Sequence, residues 1–482
     1  MQNADTDDTK TLTLLARGIR KRTMQGIALD VAAMIRSGAI AVGTKMPAVR
    51  ELAEALGVSP ATVSGAWKQL RTYRLVSGAG RNGIWVCGDQ GAVRPTRFES
   101  VGHYGDQMAA DLSMAVPDPA LAPDLGPALL MGAKTAGLNS YRREMISAPL
   151  RDAMASRWPY RPEAFVATNG GFEAVYLALQ TLVLPGSVVA VEDPTAVRIL
   201  DILEKLGANV ISVPRDSHGP KPEFLARALK QQPVVFLYQP RTHSVTGGFV
   251  SDERFDQLAG LLEGTDTAIV EDDGLGDIAV RPAKSLGERF SNRTVHIRSF
   301  SKSFGPDLRL AVMSAPAKVA DGVLAYRNFG AGWTSRILQA AAAWLLDQPE
   351  TARVLAHARE VYAQRRIALI DHLAKHGLVL PPTSREDGLC IWIPVESERY
   401  ALVTLAARGI AVHPGDRFHI ENVPHVRVGI GLPIDNLETV AAAIVLAATG
   451  GKPPASQAGA AAAYPRQPAS VFSMGRNNQS KS

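Results

Sequence analysis

Cysteine is nearly absent: Cys87 and Cys390 are the two thiols in 482 residues. Two thiols build neither a disulfide framework nor a cysteine metal cage, which excludes small secreted scaffolds and zinc modules and suits a reducing cytoplasm. Long apolar runs are missing too, none nearing the ~20 residues that a bilayer-spanning helix needs. The polar opening Asn3-Ala4-Asp5-Thr6-Asp7-Asp8 has neither the basic start nor the apolar centre of a secretory signal. A cytoplasmic protein without a membrane partner is expected. What is present is ordinary: 46% apolar and 20% charged residues, in a chain long enough for two or three domains with a large core.

Acidic residues are scarce in one region. Residues 10–94 hold thirteen Lys/Arg against four Asp/Glu, Asp30, Glu51, Glu54 and Asp89, for a local charge of +9. The whole chain carries +6, so the remainder is slightly acidic. A basic first domain on an acidic remainder puts any nucleic-acid contact in the first ninety residues.

Three helical patterns lie there. Ile27, Val31, Met34 and Ile35 recur at helical spacing and stop at Gly38. A second pattern runs from Pro47 through Leu52, Ala53 and Leu56 to Gly57. The third starts with Ser59 as N-cap and Pro60 in the first turn, then buries Val63, Trp67 and Leu70. Gly57-Val58-Ser59 is the short joint of a helix-turn-helix, and Ser77 to Gly83 before Ile84-Trp85-Val86 reads as a turn into a strand, the form of a wing. The block resembles the winged helix of GntR-type bacterial regulators, through Met46-Pro47-Ala48-Val49-Arg50-Glu51-Leu52-Ala53 and Val58-Ser59-Pro60-Ala61-Thr62-Val63. Pro60 stands where that family has a DNA-contacting arginine. Contact with double-stranded DNA is therefore expected from Arg50, Ser59, Thr62, Ser64 and Lys68. The competing reading is a three-helix packing module with a solvated basic face.

Farther on, short apolar runs alternate with helical patterns: Val188–Val191, Val234–Leu237, Thr267–Val270 and Ala311–Met313. Such alternation predicts an α/β domain with a mainly parallel sheet and sites beyond the carboxyl ends of its strands. Four polar groups fall at such places. Thr168-Asn169-Gly170-Gly171-Phe172 opens a helix, so the amides of Gly171 and Phe172 can meet a phosphate, although a glycine pair also makes an ordinary turn. Asp272 follows a strand and can face a pyridine nitrogen, or simply cap a helix. Arg427 can bind a carboxylate bidentately, or sit in a structural ion pair.

The fourth group is Ser299-Phe300-Ser301-Lys302-Ser303-Phe304-Gly305-Pro306-Asp307-Leu308-Arg309. A lysine among hydroxyls, with an arginine seven residues on, suits pyridoxal phosphate: the amine closes a Schiff base, while hydroxyls and guanidinium hold the phosphate.

In this order the segments resemble the fold-type-I aminotransferases. The resemblance implies Lys302 as the Schiff-base lysine and Asp272 as the pyridinium partner. It further implies Ser299, Ser301 and Arg309 as phosphate ligands and Arg427 as the carboxylate clamp. The whole chain is similar to the MocR/GabR group of transcriptional regulators, and within it to regulators of ectoine catabolism. The implied fold is an N-terminal winged helix-turn-helix (residues 12–88), a linker (89–109), a PLP-dependent aminotransferase fold type I domain (110–448) and a disordered tail (449–482). The implied partners are operator DNA, an amine or amino-acid effector that displaces Lys302, and a second copy in a head-to-tail homodimer.

Three positions depart from the family. Ala196 stands where an aromatic stacks on the ring, and Ser244 where an Asn-Pro-x-Gly run supplies an amide to the phenolic oxygen. Gly274 or Leu275 stands where a tyrosine is expected. The groups that tune the ring are lost while those that tether it remain, so cofactor retention is expected over fast transamination. A working aminotransferase with an attached DNA-binding domain, and a cofactor-free dimerisation scaffold, are the alternatives.

Overall fold

A computed structural model of the chain describes residues 4–36, 38–72, 75–78, 83–87, 95–99, 108–420 and 423–451. It divides into two compact units, Met1–Pro95 and Thr96–Ser482.

The first unit holds α1 (Ala4–Gly18), α2 (Met24–Arg36), α3 (Val49–Leu56) and α4 (Pro60–Thr72), with β1 (Lys45–Met46), β2 (Val76–Ser77) and β3 (Ile84–Val86) in the antiparallel order β1-β3-β2. Helical spacing turns Ile27, Val31 and Ile35 inward against Leu52, Leu56, Val63, Trp67 and Leu70. α3 ends because Gly57 takes φ +65°, a left-handed position that favours glycine, and its N–H closes on the carbonyls of Ala53 and Glu54. Ser59 Oγ then accepts the Thr62 N–H at 3.2 Å and starts α4. α1 begins ahead of the start expected from the sequence. Residues 79–82, the tip of the expected wing, lie outside the described residues.

In the second unit, residues 96–99 of the expected linker form one turn of helix, α5 (Thr96–Glu99), which the aperiodic composition did not announce. After β4 (Ala110–Leu112) comes an eight-stranded sheet: β5 (Ala164–Thr168), β6 (Val188–Asp193), β7 (Asn209–Asp216), β8 (Gly219–Pro220), β9 (Val235–Tyr238), β10 (Ala268–Asp273), β11 (Thr294–Ser299) and β12 (Ala311–Ala315). The order is β5-β12-β11-β10-β9-β6-β7-β8. Strands β7, β6, β9, β10 and β11 run parallel, and β12 is antiparallel to both its neighbours. All of β9 is buried because both faces are covered. Val235 and Leu237 meet the helices Gly171–Leu182 and Val197–Leu206, while Phe236 and Tyr238 meet Phe255, Leu258 and Leu262. A four-stranded sheet, β13 (Cys390–Pro394), β15 (His425–Gly429), β14 (Ile410–Pro414) and β4, packs on the long helix Pro349–Lys375. Among the described residues no helix is long and apolar enough to cross a membrane. The expected tail beyond residue 451 lies outside the described residues.

Candidate functional site

Parallel strands deliver their carboxyl ends to one edge of the sheet, so residues distant in sequence meet there. β5 leads into Asn169-Gly170-Gly171, β10 ends on Asp272-Asp273, and β11 ends on Ser299, three residues before Lys302.

The turn after β5 is packed against Arg309. Arg309 donates to the Asn169 carbonyl at 3.1 Å, and a Cβ on Gly170 would come within 3.0 Å of the guanidinium. A Cβ on Gly171 would stand 3.1 Å from Ser299 Cβ. Only glycine leaves room there, with φ +102° at Gly170. Ser301 N donates to Ser299 Oγ at 3.3 Å. The structure therefore brings together Gly171, Phe172, Ser299, Ser301 and Arg309 at the start of the helix Gly171–Leu182.

Arg198, which the sequence reading missed, joins them. Burial lowers its pKa first, and the charge of Arg309 lowers it further. Among the described residues no carboxylate forms an ion pair with Arg198 or Arg309. Two guanidiniums whose charges act on one another, near a helix N-terminus, fit a dianion such as a phosphate ester.

Asp272 is buried and receives the Gln239 side-chain amide at 2.8 Å. Burial raises its pKa to about 6, and the neighbouring Asp273 also raises it. Asp273 has Arg241 as its salt-bridge partner, whereas Asp272 has no cationic partner of its own among the described residues. A buried carboxylate of that kind fits a protonated pyridine nitrogen. Gln239 was also missed. Its carbonyl accepts from Ser244 N at 2.8 Å and Ser244 Oγ at 2.9 Å, so it ties Ser244 to Asp272. Its place directly after β9, at a carboxyl end, was the available signal.

Lys302 Nζ donates to the Ala115 carbonyl at 2.5 Å. Burial pulls its pKa down to about 8, and the charges of Arg427 and Arg198 press in the same direction. An amine held near neutrality suits attack on an aldehyde. Arg427, on β15, donates to the Ser113 carbonyl at 3.1 Å and lies 4.5 Å from the Phe418 ring centroid. Its Nε is buried without a hydrogen-bond partner, and no carboxylate pairs with it among the described residues. A guanidinium so placed fits a ligand carboxylate.

Of the three departures, Ala196 caps the helix Val197–Leu206, Ser244 donates its N–H and hydroxyl to Gln239 while its carbonyl accepts from Cys390 Sγ at 3.2 Å, and Gly274 places its missing Cβ 3.7 Å from Asp272 Oδ1. In the first unit Arg50, Ser59, Ser64 and Lys68 are exposed and Thr62 is half-buried. Ser59 and Thr62 share a hydroxyl contact of 2.8 Å, so both are committed to the cap, whereas Ser64 and Lys68 lie one turn apart on α4.

An α/β domain that brings together a lysine of lowered pKa, a buried carboxylate without a cationic partner among the described residues, and two arginines near a helix N-terminus has the marks of a pyridoxal-phosphate protein of the aminotransferase type. Residues 123–444 match the family Aminotransferase class I and II, and residues 23–86 match Bacterial regulatory proteins, gntR family. The chain is 32% identical over 400 residues to the vitamin B6 salvage pathway transcriptional repressor PtsJ of Salmonella typhimurium, covering 81% of this chain and 90% of PtsJ. It is 25% identical over 393 residues to the pyridoxine biosynthesis transcriptional regulator PdxR of Corynebacterium glutamicum, covering 79% of this chain and 85% of PdxR. The fold is that of Pyrococcus horikoshii kynurenine aminotransferase, with a TM-score of 0.65 at 22% identity over 71% of this chain and 91% of that one. The chain belongs to the aminotransferase class I and II family and is a MocR/GabR-type transcriptional regulator, with a DNA-binding gntR head and pyridoxal phosphate as cofactor.

Proposed function

We propose that the large unit senses a small amine or amino acid and governs how the head binds double-stranded operator DNA before an amino-acid or amine catabolic operon. The carrying observation is that Lys302, three residues after Ser299, and Arg427 donate to the carbonyls of Ala115 and Ser113, two residues apart, so the amine and the guanidinium meet at one place. When bound, pyridoxal phosphate supplies an aldehyde that condenses with primary amines. In this reading Lys302 is the covalent anchor, and Asp272 holds the proton on the pyridine nitrogen. Arg309, Ser299, Ser301 and the amides of Gly171 and Phe172 hold the phosphate. Ser244, tied to Asp272 through Gln239, would contribute to the same cofactor site, and Arg427 would take the carboxylate of an effector whose amine competes with Lys302. The sequence resemblance favours the ectoine-catabolic operon, with an amino acid of that pathway as effector. Tyr141 and Phe329, both exposed, offer apolar surface for a head-to-tail homodimer, which sedimentation would detect. Action on DNA places the protein in the cytoplasm.

The test is a titration of labelled operator with candidate amino acids. Ligand should change operator affinity by the factor with which operator changes ligand affinity. A response to pyridoxal phosphate alone would instead favour vitamin B6 genes, to which the names of PtsJ and PdxR refer. Arg50→Ala should weaken operator binding by about tenfold and flatten its salt dependence by about one phosphate contact, measured by fluorescence anisotropy across salt.

Two further outcomes are expected at the pocket. The unprotonated amine is the reactive form of Lys302, so reconstitution of cofactor-stripped protein should speed up as pH rises and level off above about 8. Stopped-flow absorbance reads this directly. With Ala196, Ser244 and Gly274 at the ring positions, transamination should run well below ~1 per second. Steady turnover with a keto-acid acceptor at or above that rate would make the chain a working aminotransferase.

A further inference from the structure

Arg198 has neighbours in two distinct parts of the second unit. Its guanidinium carbon lies 5.0 Å from the ring centroid of Phe172, at the phosphate-side helix, and 3.5 Å from that of Phe98, in α5. Its Nε is buried with no hydrogen-bond partner. A planar guanidinium uses its faces for aromatic stacking and its edge for hydrogen bonding, so the contact with Phe98 leaves the edge donors for an anion. The charges of Arg198 and Arg309 oppose one another, and Lys302 feels Arg198 as well. Such a cluster of cations is relieved by a dianion.

α5 is fastened to the helix that carries Arg198. The backbone N–H groups of Arg97 and Phe98 both donate to the Asp201 carboxylate, at 3.2 and 3.1 Å. The Arg97 guanidinium reaches Asp201 at 3.2 Å and Glu204 at 2.6 Å, and Arg417 donates to the Arg97 carbonyl at 3.2 Å. Phe98 also packs with Val197, Val245 and Phe418, the last of which lies against Arg427. Pro95, directly before α5, ends the DNA-binding unit.

We propose that Arg198 is a second phosphate-binding guanidinium and that Phe98 stacks on it as part of the same site, so that binding of the phosphate group and docking of α5 strengthen each other. The claim rests on the cofactor reading above. Pyridoxal phosphate is then a structural ligand of the linker: its phosphate end orders the segment that leads to the head, apart from any effector chemistry at the aldehyde. By linkage, a change that frees Phe98 must weaken phosphate binding by the factor with which phosphate favours docking.

The experiment uses the full chain stripped of cofactor, as wild type, Phe98→Ala, Arg198→Lys and Arg198→Gln. Each is titrated with pyridoxal phosphate, with pyridoxal and with inorganic phosphate. Hydrogen exchange of a peptide covering 95–99 reports docking, and absorbance or fluorescence reports affinity. Pyridoxal phosphate and inorganic phosphate should slow exchange at 95–99 in wild type, whereas pyridoxal should not. Phe98→Ala should bind pyridoxal phosphate about tenfold more weakly and pyridoxal as wild type does. Arg198→Lys, which keeps the charge and the fold but loses the plane, should bind phosphate better than Arg198→Gln and still lose the protection. Equal protection by pyridoxal and pyridoxal phosphate, or unaltered affinity in Phe98→Ala, would overturn the proposal. Borohydride labelling of Lys302 in every variant would then leave the cofactor reading standing, while no label on wild type would remove both.

Discussion

Lys302→Ala will remain colourless after incubation with pyridoxal phosphate, and borohydride reduction will attach no pyridoxyl group to it. Wild type will carry that label on the peptide containing Lys302. The amine is drawn to about pH 8 by burial and by two guanidiniums, and it points at a main-chain carbonyl instead of an acid that would hold its proton. Removing it deletes the covalent link while Arg309, Ser299 and Asp272 still offer non-covalent contacts, so weak binding should persist. Peptide mapping decides the matter: a label on another lysine would end the assignment. The variant should also fail to change its operator affinity when amino acids are added.

Arg427→Ala will lose about a hundredfold in affinity for a carboxylate-bearing effector, as expected when one side of a largely desolvated charge pair is truncated. Binding of pyridoxal phosphate should be nearly unchanged, because Arg427 lies on β15 whereas the proposed phosphate contacts lie at or after the ends of β5, β6 and β11. The check is a pair of titrations, effector and cofactor, on one protein preparation. Equal effector responses in wild type and Arg427→Ala would show that the carboxylate is bound elsewhere. Arg427→Lys should recover little, since an ammonium cannot reproduce a bidentate planar contact.

What the sequence disclosed and what it withheld have a common physical basis. Helix periodicity exposed α2 to α4 because one face of each is buried, and Gly57 and Ser59 marked their joint by chemistry local to two or three residues. The apolar runs exposed β6, β9 and β10 because strands covered on both faces are apolar along most of their length, β6 and β10 turning acidic at their carboxyl ends. Lys302 and Arg309 were legible since they belong to one short run. Arg198, Gln239 and Phe98 were not, because their significance lies in neighbours 33 and 100 residues away in other segments: Gln239 touches Asp272, and Phe98 touches Arg198. An arginine at the second position of a helix and a phenylalanine in an aperiodic stretch carry no local signature. α5 is a single turn, too short to show a period, and is held by Asp201 from outside.

The carbonyls of Ser113 and Ala115 accept from Arg427 and Lys302, at 3.1 and 2.5 Å. The main chain thus binds, within a three-residue span after β4, both the guanidinium proposed for an effector carboxylate and the amine with which an effector amine is proposed to compete. A bare amine can release only one of them, and a bare carboxylate only the other. If the proposed sensing holds, full release of that span would be reserved for a molecule that carries both groups, an amine to displace Lys302 and a carboxylate to engage Arg427.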